Sequence, residues 1–146
     1  MSTYSFLNIN CAMVGPGIVT NLGAGAQVAE EGITLEPTED KNVMTIGADG
    51  QGQQTLIASD AHTLTVRLLK TSPLNSALMI AYNLQSASSA LWGTNTITVT
   101  DSARNDLHVC QKVAFKKKPT IAYNKAGDML EWTFDCQSVT SVLGAG

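Results

Sequence analysis

The stretch His62–Leu69, His-Thr-Leu-Thr-Val-Arg-Leu-Leu, alternates apolar and polar residues almost without a break. A period of two marks a half-buried strand, because successive side chains leave a pleated backbone on opposite faces. The same period recurs along the chain. Leu7, Ile9, Cys11 and Met13 alternate with Asn8, Asn10 and Ala12, and Thr96–Thr100 interleaves Ile and Val with Thr. Val109, Val113 and Phe115 mark a strand over Leu107–Lys117, expected to pair with its predecessor across Ala103–Asp106. Shorter strands are expected at Ile18–Thr20, Ile33–Leu35, Val43–Ile46, Gln54–Ala58, Thr120–Tyr123 and Met129–Cys136.

The punctuation between these segments is equally β-like. Gly15-Pro16-Gly17 forces a turn, Gly23–Ala26 reads as a loop, and Asp49-Gly50 signals a hairpin. Glu36–Lys41 is polar and reads as a long hairpin tip between Ile33–Leu35 and Val43–Ile46. Asn124–Asp128 reads as a hairpin loop with Gly127 free to take positive φ, and Ser141–Gly146 as a frayed tail.

One helix interrupts the pattern, at about residues 73–88. Ser72 is placed as its N-cap and Pro73 at the first helical position. Leu74, Ala77, Leu78, Ala81 and Leu84 follow at helical spacing; Leu74, Leu78, Ala81 and Leu84 are the candidate helix core. The expected fold is mainly β: one sandwich-like or barrel-like domain over residues 1–146 with a single flanking helix.

Composition bears on what such a domain is for. Charged residues are only 14% of the chain, well under the usual quarter. With abundant Ser, Thr, Asn and Gln, that suits a subunit whose surface is largely covered by copies of itself. A small, weakly charged monomer is the bland alternative. The net charge of −3 hides an asymmetry: residues 1–66 carry −6 and residues 67–125 carry +6. Opposite poles on one subunit favour head-to-tail contact and argue against a nucleic-acid binder. The acidic stretch Glu36, Glu39, Asp40 and Lys41 and the basic run Lys116, Lys117 and Lys118 are therefore candidate ring-stacking surfaces.

Chemistry is sparse. His62 and His108 sit in strand patterns with no nucleophile or metal motif beside them. Glu30 and Glu31 are adjacent and point apart on a strand, so they form no acid pair. Neither glycine-rich turn opens a helix, and no GK[ST] follows, so no phosphate loop is expected. Cys11, Cys110 and Cys136 are widely spaced and odd in number; they are expected as buried, reduced thiols rather than a disulfide framework or zinc site. Trp92 and Trp132 are expected as core or interface anchors, with no second aromatic beside either in sequence to form a cage. No catalytic residue, cofactor or metal is expected, and the chain is not expected to be an enzyme. The start Met1-Ser2-Thr3-Tyr4 has no signal-peptide pattern, and no apolar run reaches the ~20 residues of a membrane span, so a soluble, unsecreted protein is expected.

Three stretches together carry a resemblance. They are Glu30–Leu35 running on to Asp40-Lys41-Asn42 and Thr45–Gly50; Thr65–Pro73, with Asn83 and Ser86–Ser89 after it; and Val113–Lys117, followed by Gly127 and Glu131–Phe134. Over roughly residues 4–143 the chain resembles the tail tube proteins of contractile-tailed bacteriophages. The cysteines and residues 23–26 lie outside that pattern. The resemblance implies a β-sandwich or barrel with a flanking helix, in rings of six stacked into a hollow tube. Each inner sheet joins its neighbours' to close a continuous barrel around the lumen. The implied partners are other copies of the chain, a tail sheath protein, baseplate and tail-terminator proteins, and phage DNA passing through the lumen without specific binding. The implied location is the virion tail, assembled in the host cytoplasm. Two tubes of the same kind are alternatives: that of a non-contractile tail, and that of a contractile particle carrying no DNA. A monomeric β-sandwich binding module is the alternative from another class; it more often carries paired cysteines and a signal peptide.

Overall fold

The computed structural model describes residues 9–23, 28–70, 73–101, 103–121, 123 and 130–144, and for 20–23 and 28–31 the backbone alone. Among the described residues the strands are β1 (Ile9–Gly15), β2 (Ile18–Gly23), β3 (Val28–Pro37), β4 (Asn42–Ile46), β5 (Gly52–Leu56), β6 (His62–Leu68), β7 (Asn95–Asp101), β8 (Asp106–Lys117) and β9 (Leu130–Val142), and the helix is α1 (Leu74–Ser86). The chain is thus mainly β with one helix, as its alternation predicts.

Seven strands form one sheet in the order β2-β1-β7-β8-β9-β6-β3, and β4 and β5 form a separate pair. Every strand pair is antiparallel. The sheet must curl. Ile9 and Val99, on β1 and β7, line one cavity with Ile33 and Leu35 of β3. In a flat sheet β1 and β3, five strands apart in that order, would stand about 24 Å from each other.

The core fills one half of the curled sheet's concave face. Leu64, Val66 and Leu68 of β6 alternate with half-buried neighbours, and Trp132, Phe134 and Cys136 of β9 alternate in the same way. Partners in register share a face, so Leu64 meets Phe134 and Val66 meets Trp132. A bulge keeps β8 in this pattern. The β7–β8 register shifts between Asn95 and Ile97, opposite the stretch where Lys112 takes a positive φ of 52°. The extra residue turns Gln111 and Lys112 outward and sends both Cys110 and Val113 into the core.

Helix α1 lies over this half of the sheet. Leu78, Ala81 and Gln85 are its buried residues, and Leu74 packs against the core from a half-buried position. Leu84, placed in the apolar stripe by its spacing, is 44% exposed instead. The thirteen-residue helix spans too wide an arc for one stripe to stay buried, and Leu84 lies at its flank over Gly17. A Cβ on Gly17, already at φ +79°, would run into the Leu84 side chain. The N-terminus also differs from expectation: Pro73 itself occupies the N-cap position, without a side-chain cap bond. Ser72 lies outside the described residues.

Gln85 is the polar residue that fastens α1 to the sheet. Its amide donates to Pro16 O at 3.0 Å and to Asn95 Oδ1 at 2.8 Å, while Asn95 donates back to Gln85 Oε1 at 2.7 Å and to Val113 O at 3.0 Å. At the other end Trp132 Nε1 donates to Asn75 Oδ1 at 3.0 Å. Buried polar atoms paired in this way fix one orientation of the helix.

Three expectations need correction or lie out of view. Thr120, Ile121 and Tyr123 belong to no strand; Pro119, which has no N–H to give a ladder, immediately precedes them. Trp92 has aromatic neighbours after all: Tyr82 at 6.0 Å and Phe115 at 6.3 Å, with Phe115 continuing to Trp132 and Phe134. These rings come from separate elements, so adjacency in sequence does not show the cluster. The expectations at Leu7, Ala24–Ala26 and Asn124–Asp128 lie outside the described residues.

Candidate assembly interface

Glu36–Lys41 is not a hairpin tip. β3 pairs with β6, and β4 with β5, so residues 38–41 carry the chain out of the large sheet into a separate two-stranded arm. Residues 57–61 bring it back. The two crossings are tied: Thr38 N and Oγ1 both bond Ala61 O, at 3.0 and 3.1 Å, and Ile57 N bonds Lys41 O at 2.8 Å. Lys41 Nζ meets Asp60 Oδ1 at 2.8 Å and Ser59 O at 3.3 Å. That hydrogen bond, with the ammonium's charge, holds the Asp60 carboxyl below the usual carboxylate range.

The arm itself follows from its turn. Gly47 N bonds Gln51 O at 2.7 Å, Gly50 N bonds Gly47 O at 3.0 Å, and Gly50 takes φ +86°, which a side chain would resist. Every residue of β4 and β5 is exposed. Val43, Met44, Ile46 and Leu56 are 49%, 59%, 55% and 79% exposed, although each is apolar. Sequence reasoning found both strands and the turn between them. It missed that they leave the domain. The signal was Gly52-Gln53-Gln54-Thr55, too polar to be one wall of a core.

The candidate charged surfaces lie at different levels of the large sheet. Glu36 is in register with Thr63 and through it with Asp135, two residues along β9 from the partner of Lys117. Asp60, Lys41's partner, bridges to Ser138 of β9, whereas Lys117 of β8 pairs with Thr133. Five residues of β9 separate those levels, about 17 Å along the strands. Glu36, Glu39, Asp40 and Lys41 are exposed, as are Lys116, Lys117 and Lys118, and no ion pair joins the two groups among the described residues.

Among the described residues the sheet is also open at both sides: β2 and β3, its terminal strands, each pair on one side only. Unpaired strand edges invite pairing with another chain.

At the end bearing the arm, the helix leaves a cavity of about 390 Å³ lined by Ile9, Ile33, Leu35, Pro37, His62, Val99, His108 and Ser141. His62 Nδ1 lies 2.8 Å from Asp60 O, and His108 Nδ1 lies 2.8 Å from Ser141 Oγ. Both are strand histidines with a bonded ring nitrogen. The cysteines are free and buried. Burial, then the neighbouring Cys110, pushes the Cys11 thiol up to about 12, and a hydrogen bond to Cys110 together with burial pushes Cys136 up. No group of three or more potential metal ligands gathers among the described residues.

An exposed apolar arm, open sheet edges and two exposed charged patches are the surfaces that one chain leaves uncovered among its described residues. The family model for the bacteriophage PhiTE tail tube protein matches residues 1–144. The chain belongs to that tail tube family. No curated protein sequence matches this tail tube protein. Its fold is similar to three cryo-EM structures at low identity. One is an extracellular contractile injection system, the PVC sheath–tube complex in its extended state: TM-score 0.56, 10% identity, 94% of this chain and 89% of that chain. Another is the tube-terminating cap of the anti-feeding prophage: TM-score 0.54, 8% identity, 99% and 93% coverage. The third is the anti-feeding prophage baseplate, 6-fold symmetrised: TM-score 0.56, 12% identity, 97% of each chain. Such low identities speak for the fold alone.

Proposed function

We propose that this tail tube protein, folded as one domain over residues 1–146, closes into rings of six that stack into a hollow tube. The observation that carries the reading is the arm, β4–β5. A lone two-stranded hairpin is marginal in water, and one with Met44, Ile46 and Leu56 exposed is complete only against a partner. The open edges of β2 and β3 suit closure of the ring, because joining them to neighbouring sheets removes edges that a monomer would leave bare. Charged residues at 14% suit a surface covered by other copies.

Membership of a phage tail family supports a conduit for DNA, and the sheath–tube complex, cap and baseplate among the similar structures support a contractile sheath outside with baseplate and terminator proteins at the ends. Assembly takes place in the host cytoplasm, where Cys11, Cys110 and Cys136 stay reduced. The role is structural, with no catalytic step. Likeness to an extracellular contractile injection system favours a second reading, the tube of a particle without DNA.

Electron microscopy of the purified chain at rising concentration tests the assembly. Six-fold rings and hollow tubes are expected; particles of monomer size at every concentration would overturn it. DNA inside tubes of intact particles separates the two readings of the cargo.

A further inference from the structure

We propose that the groove at the C-terminal end of α1, with Trp92 on one side and serines on the other, binds an uncharged pyranose sugar. None of its lining residues belongs to the arm or to the sheet's terminal strands.

The groove forms where helix gives way to strand. α1 ends at Ser86 and β7 begins at Asn95. Between them the chain turns tightly: Leu91 N donates to Ser88 O at 3.2 Å, and Thr94 Oγ1 donates to Leu91 O at 2.9 Å. The turn leaves a hollow of about 410 Å³ lined by Gln85, Ser86, Ser88, Ser89 and Trp92. Hollows of roughly 300–1,000 Å³ are the size that holds small molecules.

Its lining is held in place before any ligand arrives. Gln85 is pinned by its bonds to Pro16 and Asn95. Tyr82 meets the Trp92 ring edge-on, with centroids 6.0 Å apart and planes at 76°, and Phe115 stands 6.3 Å from it. Trp92 nevertheless keeps 36% of its surface exposed. An aromatic ring fixed by its neighbours and open to water is a platform that costs little to order on binding.

Charge and hydrogen bonding select the ligand. Residues 71–100 contain no Asp, Glu, Lys, Arg or His, so the lining offers nothing to neutralise an anion or a cation. An apolar molecule would suit the indole but would take water from the serine hydroxyls without replacing its bonds. Those hydroxyls offer bonds of both kinds. Ser86 Oγ gives its hydrogen to Asn83 O at 3.2 Å and retains a lone pair to accept with. Ser88 Oγ accepts from Ala90 N at 3.3 Å and retains its hydrogen to give. A pyranose has the matching pattern. Its axial C–H bonds form a weakly positive, apolar face that suits the negative face of an indole. Hydroxyls that both donate and accept surround that face.

Saturation-transfer NMR tests the site, because it reads the ligand's own signals and works on monomer and tube alike. The chain is mixed in turn with maltotriose, N,N′-diacetylchitobiose and methyl β-galactoside, and with cyclohexanol and acetate as apolar and anionic probes. Transfer to the ring C–H protons of at least one sugar is expected, with a Kd of about 0.1–10 mM. Trp92→Ala is expected to weaken that binding at least about tenfold. Its ring also packs on Tyr82 and Phe115, so Ser89→Leu serves beside it: an exposed serine replaced by a side chain that fills the groove. The same loss is expected there, with circular dichroism unchanged. If Trp92→Ala does not fold, Ser89→Leu decides. No transfer to any of the three sugars at about 20 mM, transfer to cyclohexanol or acetate but to no sugar, or sugar binding untouched by Ser89→Leu overturns the site. The tube assembly stands or falls separately.

Discussion

The two sheets of this protein use the same strand chemistry to opposite ends. In the large sheet, β6 and β9 bury every second residue, and Leu64, Val66, Trp132 and Phe134 vanish from solvent. In the arm, β4 and β5 pair in just as regular a register and bury nothing. The period of two thus sets a strand and its faces but not what lies against them. A face becomes core when the chain returns to cover it, as α1 does through Leu78 and Ala81. Among the described residues no element returns over the arm's apolar face, which is what led us to propose that another copy covers it.

Truncating each region separates them. Trp132→Ala is expected to cost about 3–5 kcal/mol and Leu78→Ala about 2–5 kcal/mol in denaturant unfolding, because both leave cavities in a closed core. A loss within error at Leu78 would mean that α1 does not close the sheet. Next comes the bond set beneath the helix. Asn95→Ala deprives Gln85 of its buried partner and is expected to cost about 1–3 kcal/mol, whereas Asn42→Ala removes an exposed amide bond in the arm and is expected to leave stability within about 0.5 kcal/mol. Equal losses at the two sites would erase the distinction between sheet and arm.

Much of this was legible in the sequence. The alternations at His62–Leu69 and Leu107–Lys117, the Gly-Pro-Gly turn and the Asp-Gly hairpin are local signals, and the strands and turns stand where those signals put them. Pairing is not local. Nothing within Glu36–Lys41 says that β3 turns to β6 while β4 turns to β5, so a junction reads as a tip. The aromatic cluster around Phe115 and the Gln85–Asn95 pair escape notice for the same reason: their members lie on different elements. Leu84 illustrates a further limit, since helical spacing gives a direction around α1 but not the width of the face that the sheet can cover.

Acid probes the junction more gently. Lys41 depresses the folded Asp60 pKa below its unfolded value, so this contribution is fully present above the ordinary carboxylate range near ~3.9. It fades as pH falls through the depressed folded value. Lys41→Ala is expected to raise the Asp60 titration midpoint toward that range in an NMR titration, with the core strands undisturbed. An unchanged midpoint would mean that the ion pair does not hold the root.

The most direct measurement is hydrogen–deuterium exchange on monomer and assembled tube side by side. In the monomer, amides of β4 and β5 should exchange far faster than those of β6, β8 and β9, because local opening is cheap where nothing is buried. On assembly, residues 42–56 should become strongly protected while the large sheet's central strands change little. An arm that exchanges as fast in the tube as in the monomer would contradict the claim that it is completed by a second copy.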